Sequence, residues 1–499
     1  MVALLFSFLT LGLLCAMVWF FKPFQIDEIA KKHLIIAILI KAVACYIFIY
    51  LFSYTYSDKH GKLDQDAGDV LHDAYILNSV LKEDASAYFS FITGTCASEK
   101  LVKKHLSKTS HWSKNSVSTM NESQNLVRIH AFIALFAKGN IYIHFFCMLL
   151  VSYFGLKQVI LWLKERSPSL NLVFSFYIML LIPSVLFWSI GVLREPFVIL
   201  GIGLILRTFF SVEISYKKLA LGLLGILLLL IFKMYVAIYL LIFLSIYMYF
   251  NYLRKTIKYI IFTSVLLTGT LFCTIPNPYC DSVISSISRK QYDFNNVARG
   301  GLHIRTDSCY IYISGVNRHS LKIINDSLLL LKAIDAQTYD FNTDEKFKFI
   351  HLKPTGAKWK FADNNERAQS YFEITPIYCS GWQLLKNIPS AITNALLRPF
   401  PWDNGRLLKY FSVLEILFYL IAIFITLKQL KKLDPEEKKL WNAFIISSFF
   451  LLLLIGWTTP VSGAIVRYRI PILFLLFPLL LLSIKFTQKQ KTWIDKWFV

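Results

Sequence analysis

Apolar residues in this chain come in blocks of roughly 20, the length an α-helix needs to cross the hydrocarbon layer of a bilayer. Such blocks cover 3–21, 33–53, 139–163, 172–190, 196–212, 219–232, 235–250, 259–275, 410–427, 441–457 and 470–484. Lipid tolerates only backbones that satisfy their own hydrogen bonds. The pattern therefore predicts an all-α polytopic integral membrane protein with about eleven transmembrane helices. Lys and Arg outnumber Asp and Glu 53 to 31. In a soluble chain that surplus would suggest nucleic acid, but here short cytoplasmic loops collect Lys and Arg, so no nucleic acid partner is implied.

Basic clusters fix a topology. Lys22/Lys31/Lys32, Lys164/Arg166, Lys217/Lys218, Arg254/Lys255/Lys258, Lys428/Lys431/Lys432/Lys438/Lys439 and Lys485/Lys489/Lys491/Lys496 fall on every second loop. One orientation satisfies them all, with the N-terminus outside and the C-terminus cytoplasmic. A single helix over 219–250 would measure about 48 Å at 1.5 Å per residue, so this segment reads as a hairpin with Lys233 at its outer turn. The segment 172–212 reads likewise, with Arg194 and Glu195 at the turn. The first block has no basic residue before it and reads as a retained helix rather than a cleaved signal.

Two polar regions, 54–124 and 276–387, then lie outside the cytoplasm. An amphipathic run over 126–138 suits the membrane surface. Alternation over 308–313 predicts a strand and 320–336 reads as helical, which makes the second region a small α+β insert. The domain expectation is an N-terminal bundle over 1–275 with an acidic loop at 54–138, the insert at 276–387, and C-terminal helices with a basic tail over 388–499. Cys96, Cys280, Cys309 and Cys379 sit in polar loops where disulfides could form, though spacing gives no pairing.

Residues able to carry chemistry gather on the outer side. The first loop holds Asp64, Asp66, Asp69 and Asp73, a cluster that could supply a general base or help hold a divalent cation. A solvated turn with a helix cap is the plainer reading. Arg194 and Glu195 open an apolar block just before Pro196; the glutamate suits a helix start, whereas the arginine needs either a phosphate or a carboxylate partner. Lys233 stands alone in its hairpin, either snorkelling or reaching a phosphate. Arg398 is presented by a Pro-Phe-Pro-Trp corner, Glu415 lies in the following block, and Arg467 and Arg469 run against the positive-inside bias. A carboxylate facing several cations is what sugar transfer from a polyprenyl phosphate needs.

These residues also carry a resemblance. Phe-Trp-Ser-x-Gly-x-Leu-Arg-Glu at 187–195, Lys-x-Tyr at 233–235, Arg-Pro-Phe-Pro-Trp at 398–402 with Glu415 downstream, and Gly-x-x-x-Arg-Tyr-Arg-x-Pro at 463–471 resemble a group of bacterial envelope membrane proteins. That group is related to GT-C-type glycosyltransferases and polysaccharide polymerases. The resemblance implies an inner-membrane location, a polyprenyl-linked sugar donor, a glycan or lipid-linked acceptor, and a catalytic Asp in the first outer loop. Asp69 matches first, for its Gly-Asp context, then Asp66 and Asp73. The acidic loop here follows the second block rather than the first, which implies an added N-terminal helix. A lipid or oligosaccharide transporter is the reading from another class, and it expects charges deep within several spans.

Overall fold

The computed structural model describes residues 2–57, 61–95, 98–112, 118–119, 121–211, 215–252, 283–305, 309–324, 327–340, 347–363, 367–377, 380–429, 433–484, 486 and 488–498. The chain is mostly helical with a few small antiparallel sheets. It divides into two units, one of Met1–Ser245, Ile421–Phe444 and Ile470–Val499, the other of Ile246–Leu420 and Ile445–Arg469.

The first unit begins with α1 (Val2–Phe20) and α2 (Lys31–Tyr50), the latter prolonged by a π-helical turn over Leu51–Thr55. Four further helices follow: α3 (Gln65–Glu83), α4 (Ala85–Thr93), α5 (Glu99–His105) and α6 (Glu122–Ala137). Each opens on a polar residue whose side chain accepts a hydrogen bond from a first-turn N–H: Asp64, Asp84, Ser98 and Asn121 respectively. Gly94 at φ +74° ends α4, a left-handed stop that a side chain would strain.

Next come α7 (Ile141–Arg166), α8 (Leu172–Leu180), α9 (Pro183–Trp188), α10 (Glu195–Phe209), α11 (Tyr216–Phe232) and α12 (Met234–Tyr252). Glycines set how closely α10 meets its neighbours. A Cβ on Gly203 would lie 2.4 Å from the Gly155 carbonyl oxygen of α7, and one on Gly225 of α11 would lie 2.8 Å from that of Gly201. Backbones this close pack by van der Waals contact, the attraction left to helices in lipid. The break expected within 219–250 is present: α11 ends at Phe232 and α12 begins at Met234, and Ile226 of α11, Ala237 and Leu240 of α12 and Ile205 of α10 line one small apolar void. By contrast the single span expected at 172–190 is two short helices. Pro183 opens α9, and its missing N–H cannot continue the ladder from α8.

The second unit holds α13 (Val283–Arg299) and eight strands: β1 (Leu302–Arg305), β2 (Cys309–Ile313), β3 (Leu321–Ile324), β4 (Ser327–Leu330), β5 (Ile334–Asp340), β6 (Phe347–Leu352), β7 (Lys358–Trp359) and β8 (Phe361–Asp363). One antiparallel sheet has the order β6-β5-β2-β1-β8, the other β3-β4-β7. Between the sheets Ile304, Ile311 and Ile313 pack with Leu328 and Leu330. The other face of the larger sheet presents tyrosines to α13, where Tyr292 donates to the Gln337 carbonyl at 2.9 Å and the Arg299 guanidinium lies 3.7 Å from the Tyr312 ring centre. The strand expected at 308–313 is β2. The helix expected over 320–336 is not formed: β3 and β4 pair antiparallel from Leu321↔Leu330 to Ile324↔Ser327, and β5 begins at Ile334. Its leucine run fits either period, and burial of alternate residues Leu328 and Leu330 in the sheet core decides for strand.

After the sheets come α14 (Gly381–Lys386), α15 (Ile388–Leu397), α16 (Leu408–Gln429), α17 (Pro435–Thr458), α18 (Ser462–Tyr468), α19 (Ile470–Ser483) and α20 (Gln488–Trp497). Among the described residues, four helices are long and apolar enough to cross a membrane: α2 with its π turn, α7, α16 and α17. A fifth is gained if α18 and α19 count as one broken span. The remaining apolar blocks form shorter helices, except 259–275, which lies outside the described residues. So do Cys96, Cys280 and Cys379; Cys309 is a free thiol.

Candidate functional site

The four acidic residues of the first loop sit at the start of α3, directly after the α2 span. Asp64 caps the helix, accepting from the Gln65 N–H at 2.8 Å. Asp66, Asp69 and Asp73 follow on its first turns, where spacings of three and four put them on one face. Asp73 is wholly buried. It accepts from the Ser110 N–H at 2.9 Å, the His111 N–H at 2.9 Å and the His111 ring Nδ1 at 2.7 Å. Burial alone would raise its carboxyl, but these three donors outweigh burial and leave it below the usual carboxylate value. Asp73 thus behaves as an anchor for the 110–111 turn.

Asp69, one helical turn before it, is open to solvent. Partial desolvation raises its carboxyl, His111 opposes that shift, and the carboxylates of Asp73, Asp66 and Asp64 add to it. A carboxyl raised in this way holds a proton more readily than an ordinary aspartate. That is the direction in which a general base is tuned.

Arg194, Glu195 and Lys233 come together elsewhere in the same unit. Lys233 Nζ meets Glu195 Oε1 at 2.7 Å with both side chains at most 4% exposed. Glu195 is the first residue of α10, and Lys233 follows the last residue of α11, so each charge stands at the helix end that favours it. Phe197, two residues after Glu195, and Phe232, next to Lys233, stack with ring centres 4.1 Å apart. Arg194 reaches Glu122 Oε2 at 2.8 Å and Ser123 Oγ at 2.6 Å, both at the start of α6. The other oxygen of Glu122 accepts from the Met234 N–H at 3.3 Å, which links the two pairs through the first turn of α12. Of the two partners considered for Arg194, the structure supplies the carboxylate, and Lys233 does not snorkel.

Sequence reasoning passed over three residues here. Lys41 lies within α2, is 3% exposed and donates to Ser189 Oγ at 3.2 Å. A lone lysine in an apolar block was its visible signal. Glu122 follows Asn121 as a helix start does, but nothing local marks it as a partner of Arg194. His111 gave no signal, because only the fold brings it to α3.

In the second unit, Arg398 Nη1 pairs with Asp403 Oδ1 at 2.6 Å, its Nε donates to Asn394 Oδ1 at 2.9 Å, and its guanidinium lies 3.8 Å from the Phe372 ring centre. Arg469 is fully buried, and its Nη1 donates to the carbonyls of Ala395, Leu396 and Arg398 at 3.3, 2.8 and 3.1 Å. These are orphan carbonyls at the C-terminal end of α15, so the guanidinium acts as the cap of that helix. The Tyr419 hydroxyl joins it on the Leu396 carbonyl. Glu415 is buried one turn earlier on α16, and Arg467 is half-buried in α18.

Among the described residues no group of three His, Cys, Asp or Glu side chains is placed to hold a metal ion. The chain matches no family model, no curated protein and no solved structure.

Proposed function

We propose that this chain is a membrane glycosyltransferase of the GT-C type, taking a sugar from a polyprenyl-phosphate donor at the non-cytoplasmic face of a bacterial inner membrane for envelope or surface polysaccharide. In this reading all eleven apolar blocks cross the membrane, with the N-terminus outside and the C-terminus cytoplasmic. The observation that carries the reading is Asp69: an exposed carboxyl, raised above its usual value, on the helix that directly follows the α2 span. There it takes the proton of an acceptor hydroxyl as the acceptor oxygen attacks the anomeric carbon. The bond to the lipid phosphate breaks, and the phosphate leaves with both electrons of that bond. Arg194, 27% exposed beside Glu122, is the cation assigned to stabilise the leaving phosphate in this reading. A polymerase of lipid-linked repeat units would use the same chemistry with a longer acceptor.

One observation favours the transporter instead. Lys41 lies buried in the first long span, and it touches the non-helical stretch between α9 and α10, the arrangement of an interrupted helix around a midplane site. A single preparation separates the readings. Purified protein in vesicles, given radiolabelled polyprenyl-phosphate sugars, should transfer label to acceptor, and Asp69→Asn should lower the rate by about 10²–10⁴-fold. Undiminished transfer by Asp69→Asn would remove the base assignment. Label carried across the vesicle unaltered, and lost on Lys41→Met, would favour transport.

A further inference from the structure

We propose that α20 is a membrane-surface helix that recognises anionic phospholipid headgroups through Lys489 and Lys496 beside Trp493 and Trp497. At about 100° per residue, positions i, i+4, i+7 and i+8 share one side of a helix, and these four residues occupy those positions. Both indoles are open, Trp493 at 57% and Trp497 at 65% exposure. A helix packed only against protein would turn its tryptophans inward. Here the inward contacts are made by others: Ile494 is buried, Asp495 Oδ1 accepts from Asn171 Nδ2 at 2.9 Å, and Phe498, just past the helix, meets Phe174 edge-on at 5.4 Å.

Those contacts also fix the depth of the helix. Asn171 is the N-cap of the apolar helix α8, so α20 is tied to the level at which an apolar segment begins. That is the level of lipid headgroups, where indole rings and long lysine stems collect. Asp495, the one acidic residue of α20, is already held by Asn171, so the open side is cationic. Flexible ammonium groups around two indoles suit a fluid layer of phosphates better than the fixed geometry of a protein partner.

The test does not depend on sugar transfer. The full chain is reconstituted into bilayers carrying brominated acyl chains, on either phosphatidylcholine or phosphatidylglycerol, and tryptophan quenching is compared with that of Trp493→Phe/Trp497→Phe. The difference isolates two of the 11 tryptophans. We expect the double variant to lose a quenched component, and that component to be larger with phosphatidylglycerol. Lys489→Gln/Lys496→Gln should remove the preference, by about fivefold per lysine if each contributes roughly 1 kcal/mol near a charged surface. No difference between wild type and the tryptophan variant would overturn the proposal. So would equal quenching by the two lipids, which would leave a surface helix indifferent to charge. All four side chains are solvent-exposed, so the variants should fold, and far-UV circular dichroism checks that they do.

Discussion

Replacing Lys233 by methionine keeps the volume of the side chain and removes its charge, leaving the Glu195 carboxylate at 1% exposure without the ammonium that lies 2.7 Å away. Loss of one partner from a buried ion pair costs about 3–5 kcal/mol, because the surviving charge keeps its desolvation penalty and loses the attraction that offset it. The helix ends refine this figure. In Lys233→Met the carboxylate still faces the N-terminal end of α10, worth about 0.3–1 kcal/mol, so the loss should sit at the lower edge of the range. In Glu195→Gln the ammonium keeps the favourable carbonyl end of α11 but is left beside the N-terminal end of α10, so the two helix ends oppose one another and the loss should sit higher in the range. The double variant Glu195→Gln/Lys233→Met strands no charge and should be more stable than either single one, within about 1–2 kcal/mol of wild type. Equilibrium unfolding in mixed micelles, followed by far-UV circular dichroism, gives all four values and the coupling energy. Single variants within about 1 kcal/mol of wild type, or a double variant that loses the sum of the two, would refute the account of this pair as a desolvated clamp between α10 and α11.

Asp73 makes the first unit sensitive to acid. Its carboxyl lies below its ordinary value when folded, so its contribution is fully present above the usual carboxylate pKa and fades as pH falls through the lowered value. Asp73→Asn should lose about 2–3 kcal/mol near neutral pH and flatten the acid side of a melting-temperature profile; an unchanged profile would count against the anchor. Gly203→Ala should separate α7 from α10, since the added carbon would fall 2.4 Å from the Gly155 carbonyl oxygen; an unaltered melting temperature would show that the helices slide apart at no cost. Arg469→Met removes three hydrogen bonds from the end of α15 and should speed amide exchange there relative to the sheets, which hydrogen–deuterium exchange by mass spectrometry measures.

Where a local rule governs the outcome, the sequence was legible. The break within 219–250 follows from a run too long for one span with one charge at its centre, and α11 and α12 do part at Lys233. The interruption at Pro183 could have been read from the ring alone, had the surrounding apolar residues not suggested continuity. The 320–336 segment was misread because its leucines fit a period of 3.6 as well as a period of 2, and the choice is made by β7 and the larger sheet, neither of which is local. Ion-pair partners were the least legible feature. Glu122 is 72 positions from Arg194, and Lys233 is 38 from Glu195. His111 lies 38 positions from Asp73, and only the folded chain brings it to α3.

That distance in sequence bears on how the basic residues should be weighed. Read along the chain, Lys233, Arg398 and Arg469 all looked like hands for a phosphate, because a cation at an apolar boundary calls for an anion. Folding provides other anions: the carboxylates of Glu195 and Asp403, and the carbonyl ends of α11 and α15. A helix C-terminus carries roughly half a negative charge, so an apolar protein built of many helices creates its own demand for cations at their ends. One-sided cations are therefore a weaker sign of a phosphate site than they looked. Carboxylates likewise serve structure: Asp64 caps the start of α3, and Asp73 anchors the 110–111 turn. Asp69 is different: it is not the cap of α3, its side chain is exposed, and partial desolvation and the carboxylates of Asp73, Asp66 and Asp64 disfavour its charge against the opposing pull of His111. A residue that the fold does not use, in a setting that costs the fold stability, is the one most in need of a reason beyond structure. The catalytic reading accordingly stands on Asp69 first, and on the cations only so far as Arg194 can leave Glu122 for a better-charged guest.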